Sequence, residues 1–208
     1  LDIGKVISRS FDVLFKNVVV LAVAMFLAGL LGGVTFGILM GPMLAGMIII
    51  CLKLLRGETA EIGDVFKGFD KFGPAFLLLL ITYLAVGAIW LATIIFAFIP
   101  ILGAIVVVLL WLCLGIASPL LGAFVALALC GIVDKNLDLG GAFKYGFDRI
   151  KTNPLEIWVL ALVLGILSYV GVIACGIGVY VTMPISILGM TIIYLEDTAA
   201  TTQPSVTA

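Results

Sequence analysis

The chain has 208 residues, of which 64% are hydrophobic and 11% charged, and its mean hydropathy is +1.38. Soluble domains lie nearer half apolar and a quarter charged, so a soluble globular enzyme, a disordered chain and a nucleic-acid binder are excluded. What remains is an all-α polytopic membrane protein.

Net charge is −1 and there is no His. Nothing global attracts nucleic acid or acidic partners, and the commonest general base and metal ligand is missing. No cofactor is expected. Cys51, Cys113, Cys130 and Cys175 lie in apolar runs without CxxC spacing. They read as small packing residues, with a disulfide or a metal site as the alternative.

The first element is an amphipathic segment from Ile3 to Asp12. Ile3, Val6, Ile7 and Phe11 share one helical face with Leu14 and Phe15 beyond it. An uncharged stretch of 36 residues follows, Asn17 to Leu52. A span needs about 20 apolar residues, so it holds two short helices with a turn at Gly32-Gly33. Its opening run resembles a signal peptide but continues into more apolar sequence without a cleavage region, so it is kept as the first span. The chain begins with Leu, which leaves open whether residues precede it.

Ile62 to Asp70 is the second amphipathic segment, and a 62-residue uncharged stretch follows from Phe72 to Val133. Its turn is placed at Ile99-Pro100 with Gly103. Leu139 to Asp148 is the third such segment, and the last uncharged stretch, Ile157 to Leu195, has 39 residues with a turn at Cys175-Gly176 and Gly178. The segments from Ile3 and Leu139 align without a gap, while the middle one is a residue shorter. They are expected in the interfacial plane, aromatic face in the acyl boundary, with packing beneath the bundle as the alternative. Residues 199–208 read as a flexible tail.

The basic residues fall before, between and between these stretches: Lys5, Arg9 and Lys16; Lys53, Arg56, Lys67 and Lys71; Lys135, Lys144, Arg149 and Lys151. Basic residues concentrate on the cytoplasmic side. If all three groups lie inside, every stretch crosses an even number of times. The expected fold is six transmembrane helices in three hairpins, each preceded by an amphipathic interfacial helix. Both termini are then cytoplasmic and the protein sits in the cell (inner) membrane. Three copies of one unit, about 1–55, 56–133 and 134–198, give a pseudo-threefold repeat within a single domain, 1–198.

Pro42, Pro119 and Pro184 fall in the second helix of each hairpin and are expected to kink it. Each frees the carbonyl four residues back, at Ile38, Gly115 and Tyr180. Those carbonyls either ring a small constriction or belong to three plain kinks in a closed bundle. Gly29, Gly33, Gly37 and Gly41 recur every four residues, which reads as tight hairpin packing or an oligomer interface.

Gly41-Pro42, Arg56-Gly57-Glu58 and Phe66-Lys67-Gly68-Phe69 together resemble a pattern of uncharacterised prokaryotic polytopic integral membrane protein families. These are similar to the membrane domain of glycerophosphodiester phosphodiesterases. The resemblance covers about the first 70 residues, with an echo from Phe143 to Asp148. It implies glycine- and proline-bearing spans beside a Phe-rich amphipathic segment. It carries over no activity and no catalytic residue, and the soluble phosphodiesterase domain is absent from this sequence.

No ionisable side chain lies deep in an uncharged stretch, which counts against proton relays and ion-coupled pumps and against an enzyme. Lys5, Arg9, Lys67, Lys71, Lys144 and Arg149 are the candidate membrane-interface residues, since each cation near anionic lipid contributes on the order of 1 kcal/mol. The expected function is a non-enzymatic scaffold or accessory subunit that engages membrane lipids, a partner membrane protein or further copies of itself. The runner-up is a small channel or carrier for a neutral or apolar solute.

Overall fold

The computed structural model describes residues 2–99, 101–173 and 178–202. Every regular element among them is helical: α1 (Ile3–Lys16), α2 (Val18–Val34), α3 (Met40–Leu55), a 3-10 helix η1 (Ile62–Lys71), α4 (Phe72–Ala97), α5 (Leu102–Asp134), α6 (Leu139–Thr152), α7 (Pro154–Ile173), α8 (Gly178–Thr182) and α9 (Pro184–Thr202). Four stretches are long and apolar enough to cross a membrane: Ile62–Ala97, whose uncharged part is α4, Leu102–Asp134, Pro154–Gly171 and Gly178–Ala199. The bent pair α1 and α2 raises this to five. Six spans were expected. The shortfall lies in the first hairpin, where α3 has 16 residues. That is about 24 Å, short of a hydrocarbon core of about 30 Å.

Helix α1 meets α2 at 91°. Asp2 caps its start by accepting from the Lys5 N–H at 3.2 Å, and Asn17 marks the corner. The Asn17 backbone N–H and its amide side chain both donate to the Val13 carbonyl, at 3.2 and 3.0 Å. Val6 and Leu14 are buried against α7 and α9 in the core, while Phe15 is exposed. The helix thus packs part of its apolar stripe against the bundle and leaves Phe15 outside.

The second amphipathic segment is a 3-10 helix over its whole length. Side chains at i and i+3 eclipse in this geometry, and Phe66, Phe69 and Phe72 stack at 6.4 and 6.3 Å accordingly. The other side of the same period carries Val65 and Gly68, both buried. They lie against α3. A Cβ on Gly46 would strike the Val65 carbonyl, and one on Gly68 would strike the Pro42 carbonyl and the Gly46 N. Two glycines let two backbones touch here, which a side chain on either would forbid.

That contact makes α3 the centre of the molecule. It touches α2, η1, α4, α5 and α9, and Met43, Met47, Ile50 and Cys51 are fully buried. The glycine ladder adds one backbone contact of this kind, at Gly41 against α4. Gly29 faces the Tyr180 ring, Gly33 faces open space, and Gly41 faces the Ala75 carbonyl of α4. Gly37 lies in the turn, with φ 86°. The turn itself runs from Thr35 to Leu39. It therefore comes after Gly32-Gly33, which are still helical in α2. The Thr35 hydroxyl ends the helix by donating to the Leu31 carbonyl at 2.7 Å while accepting from the Leu39 N–H.

The second hairpin is built differently. Among the described residues from 81 to 122, only Gly103 is buried, and what covers it is its own hairpin, the Phe96 carbonyl and Ile99. Trp90 and Trp111 meet edge to face at 5.1 Å across the two arms. At the tip Ile101 takes φ 62°, a backbone conformation rare for a β-branched residue. The expected turn at Ile99 is present; Pro100 lies outside the described residues.

Trp158, in the second turn of α7, donates through its indole N–H to the Ile116 carbonyl at 2.6 Å. Ile116 lies 18 residues before Asp134 at the charged end of α5. The foot of α7 therefore meets the middle of α5. Helix α7 returns through α8, where Thr182 donates to the Ser168 carbonyl at 2.5 Å. The expected turn at Cys175-Gly176 lies outside the described residues. Helix α9 runs on to Thr202, four residues into the expected tail; residues 203–208 lie outside the described residues.

Candidate functional site

Two features concentrate the chemistry: the layer of charges at one end of the bundle, and an apolar cleft. In the charged layer Asp64 is buried. Its carboxylate lies 2.7 Å from Lys53 and 2.6 Å from Lys67, and it accepts from the Glu61 N–H at 3.0 Å. Burial pushes the carboxyl up. The Glu61 N–H and the two ammonium groups outweigh it and hold Asp64 well below the usual carboxylate range. The same carboxylate raises Lys67. Asp64 thus fastens η1 to α3 and caps the start of η1.

Asp134 is a second tie. Arg56 lies 2.7 Å from one of its oxygens, and the Tyr194 hydroxyl donates to the other at 2.8 Å. The ends of α3, α5 and α9 meet there. Lys135 stands 4.5 Å over the Tyr145 ring and 5.6 Å over that of Tyr194, within cation–π range. The Tyr145 hydroxyl is buried with no hydrogen-bond partner among the described residues. Burial, and then the Asp197 charge, push this phenol up.

The six candidate interface residues divide. Lys5 pairs with Asp2 at 3.3 Å and is exposed; Lys67 pairs with Asp64 and is exposed; Lys144 is exposed on α6. The other three bond to groups distant in sequence. Arg9 donates to the Leu55 carbonyl at the end of α3, at 3.5 Å. Lys71 donates to the Asn136 side chain at 2.5 Å. Arg149, with its side chain mostly buried, lies 2.8 Å from Asp197. Sequence reasoning missed Asp64, Asp134 and Tyr194. The available signal was the acid close to the basic groups in sequence, as at Asp64 and Lys67.

The three prolines also divide. Pro119 lies inside α5. Pro42 stands in the first turn of α3, and Pro184 begins α9 at its break from α8. Near a helix start a proline removes no internal hydrogen bond. The carbonyl that Pro119 frees, at Gly115, accepts the Ser118 hydroxyl at 3.0 Å. Pro119 lines the cleft, while Pro42 and Pro184 do not, so the three are not gathered around one constriction. Of the cysteines, Cys51 and Cys130 are buried as expected and Cys113 is exposed; Cys175 lies outside the described residues. Among the described residues no group of three His, Cys, Asp or Glu side chains could hold a metal.

The cleft, of about 580 Å³, lies between the α4–α5 and α7–α9 hairpins with Leu44 and Ile48 of α3 as its floor. No charged side chain lines it. Its Thr82 and Ser118 hydroxyls donate to carbonyls of their own helices, and Ser186 donates to the Met183 carbonyl just before α9. Ile166 and Tyr169, both exposed, stand at its rim.

No family model, curated protein or solved structure matches the chain.

Proposed function

We propose that this chain is a non-enzymatic membrane scaffold or accessory subunit, and that the α4–α5 hairpin is where it takes the spans of a partner membrane protein. The observation that carries this reading is the bareness of that hairpin. Its 33-residue α5 is about 50 Å long against a hydrocarbon core of about 30 Å. Its apolar tip, Phe98, Ile101 and Leu102, is exposed. A mismatch of this size is relieved by tilting or by association. The hairpin offers both faces for the second.

The reading keeps six spans in three hairpins, related by a pseudo-threefold repeat, in the cell (inner) membrane with both termini cytoplasmic. The element order supports it. A helix precedes each pair of apolar helices three times over, and α2 and α3, 17 and 16 residues long, complete the sixfold count if the bilayer thins or snorkelling residues extend them. Labelling of single cysteines at Lys67 and Thr35 in a Cys-free variant tests the topology. Opposite sidedness, with position 67 inside, supports it; labelling of both from one side removes it.

The function is tested by purification in native lipid with photo-crosslinkers at Ile94 and Leu109 on the hairpin, and at Val23 on α2 as a control. A stoichiometric partner captured from the hairpin but not from α2 is the expected result. Capture of only a second copy would replace the accessory-subunit reading with a homo-oligomer, and no captured protein would overturn it.

A further inference from the structure

We infer that the cleft between the two hairpins holds one hydrocarbon chain of a bilayer lipid as a resident ligand. The argument starts from packing. Helix bundles are filled to crystal density, and gaps much larger than a water molecule are rare. A cleft of about 580 Å³ falls instead in the range of small-molecule sites. Left empty, its lining would lose the contacts that neighbouring atoms normally supply.

Water does not fill it. A buried water needs two to four polar partners. Four hydroxyls line the cleft: those of Thr82, Ser118 and Ser186 already donate to the Leu78, Gly115 and Met183 carbonyls, and that of Tyr169 belongs to an exposed residue at the rim. With no charged side chain in the lining, a polar or ionic ligand has no anchor. What fits is an uncharged, flexible apolar chain. The lining residues all belong to the uncharged stretches of the sequence. At that depth, lipid tails are the molecules of this kind present in excess.

The space is built into the sequence. Gly122 of α5 and Gly165 of α7 line the cleft, and a Cβ on either would meet nothing within 4 Å. These glycines are therefore not there for close helix contact. They leave volume that side chains would otherwise occupy. Because the lining has no charge, recognition ends at the chain, and the site takes lipids of different headgroups alike. This inference does not rest on the partner-docking reading: the cleft takes its hairpin lining from Thr82 and from residues 118–129, and can be filled while the outer part of the hairpin, with Trp90 and Trp111, stays free.

The experiment is native mass spectrometry of the protein purified in mild detergent from vesicles of mixed phosphatidylethanolamine, phosphatidylglycerol and phosphatidylcholine. The expected result is one retained lipid per chain, its headgroups in the proportions supplied. Gly165→Phe should fill the cleft and reduce retention at least tenfold with unchanged thermal unfolding. Gly87→Phe, also in open space but outside the cleft, should leave retention intact. If Gly165→Phe fails to fold, Gly122→Leu makes the same test. Retention unaffected by either filled variant, or no retained lipid in the parent, overturns the inference. Retention of a single headgroup class overturns it as well, since it requires a polar site elsewhere.

Discussion

Helices α3 and α5 occupy the same place in their hairpins, yet one is buried nearly all round and the other is bare over most of its length. Both are apolar on every face, and the hydrophobic pattern alone does not separate them. What separates them is side-chain size. Helix α3 reads Met-Gly-Pro-Met-Leu-Ala-Gly-Met, with small residues that admit a neighbour's backbone and methionines that fill irregular gaps. The outer half of α5 reads Val-Val-Val-Leu-Leu-Trp-Leu, bulky side chains that cover a helix and hold others away. Within a membrane, lipid is as apolar as a protein core. Association therefore follows close fit rather than hydrophobicity.

The comparison breaks most sharply at its glycines. Gly46→Leu places a side chain into the Val65 carbonyl. It should cost at least ~4 kcal/mol, in the exceptional range for one substitution. Gly115→Leu in α5 meets open space and should stay within ~0.5 kcal/mol of the parent. Thermal unfolding followed by size-exclusion fluorescence checks the pair. Equal losses would mean that α5 is packed in a way its exposure does not show.

Side-chain truncation gives the next largest difference. Ile50→Ala removes a fully buried side chain of α3 and should cost about 2–5 kcal/mol. Leu112→Ala on α5, whose leucine is 57% exposed, should cost under ~0.5 kcal/mol by itself. If lipid-embedded protein instead loses comparable stability from both, the bare hairpin is already covered by an associated chain.

This difference marks how far the sequence could be read. The helical content, the apolar stretches and the three amphipathic lead-ins follow from periodicity and charge, and the structure has them. Asn17 was placed at a boundary, and it is the corner between α1 and α2. Missed was what depends on pairs far apart in sequence. Gly46 and Gly68 touch across α3 and η1, yet neither belongs to the regular glycine ladder that drew attention. The stack Phe66, Phe69, Phe72 has a strict three-residue period, legible as 3-10 in hindsight. A 3-10 run of 10 residues is uncommon, and the apolar positions Ile62, Val65, Phe66 and Phe69 also fit ordinary helical spacing. The candidate interface cations rest on residue type and position alone. Of their partners, Asp64 stands three residues before Lys67, whereas Asp197 reaches Arg149 only through the fold.

The tie between η1 and α3 sharpens the contrast through charge. Asp64→Asn keeps the shape but weakens the hold on Lys53 and Lys67, and should cost about 1–3 kcal/mol, as expected for a buried charged hydrogen-bonding group. The sign with pH follows. Asp64 is depressed in the folded state, so its contribution is fully present above its ordinary value of 3.8. It is lost as pH falls below that value through the folded one. Acid unfolding of the parent should therefore show a component below about pH 4 that Asp64→Asn lacks. An identical acid profile in the two proteins would mean that the carboxylate is not paired as described.

The smallest effect lies where the two compared helices are joined. Arg56 closes α3 onto Asp134 of α5, but its side chain is 42% exposed, and a solvated pair is worth only ~0.2–1 kcal/mol. Tyr194 reaches the same carboxylate from α9, where its ring is buried, and Tyr194→Phe should cost about 1 kcal/mol. Arg56→Ala should cost about half as much. The double variant should cost more than the sum, because Asp134 then keeps its charge with neither partner. Simple additivity would show that Asp134 remains solvated and that the two bonds act separately. The charged end would then be a set of independent surface contacts. The docking of α5 onto α3 would rest on the inner cluster alone, where Leu127, Ala128 and Ile132 pack with Ala45, Ile48 and Leu52.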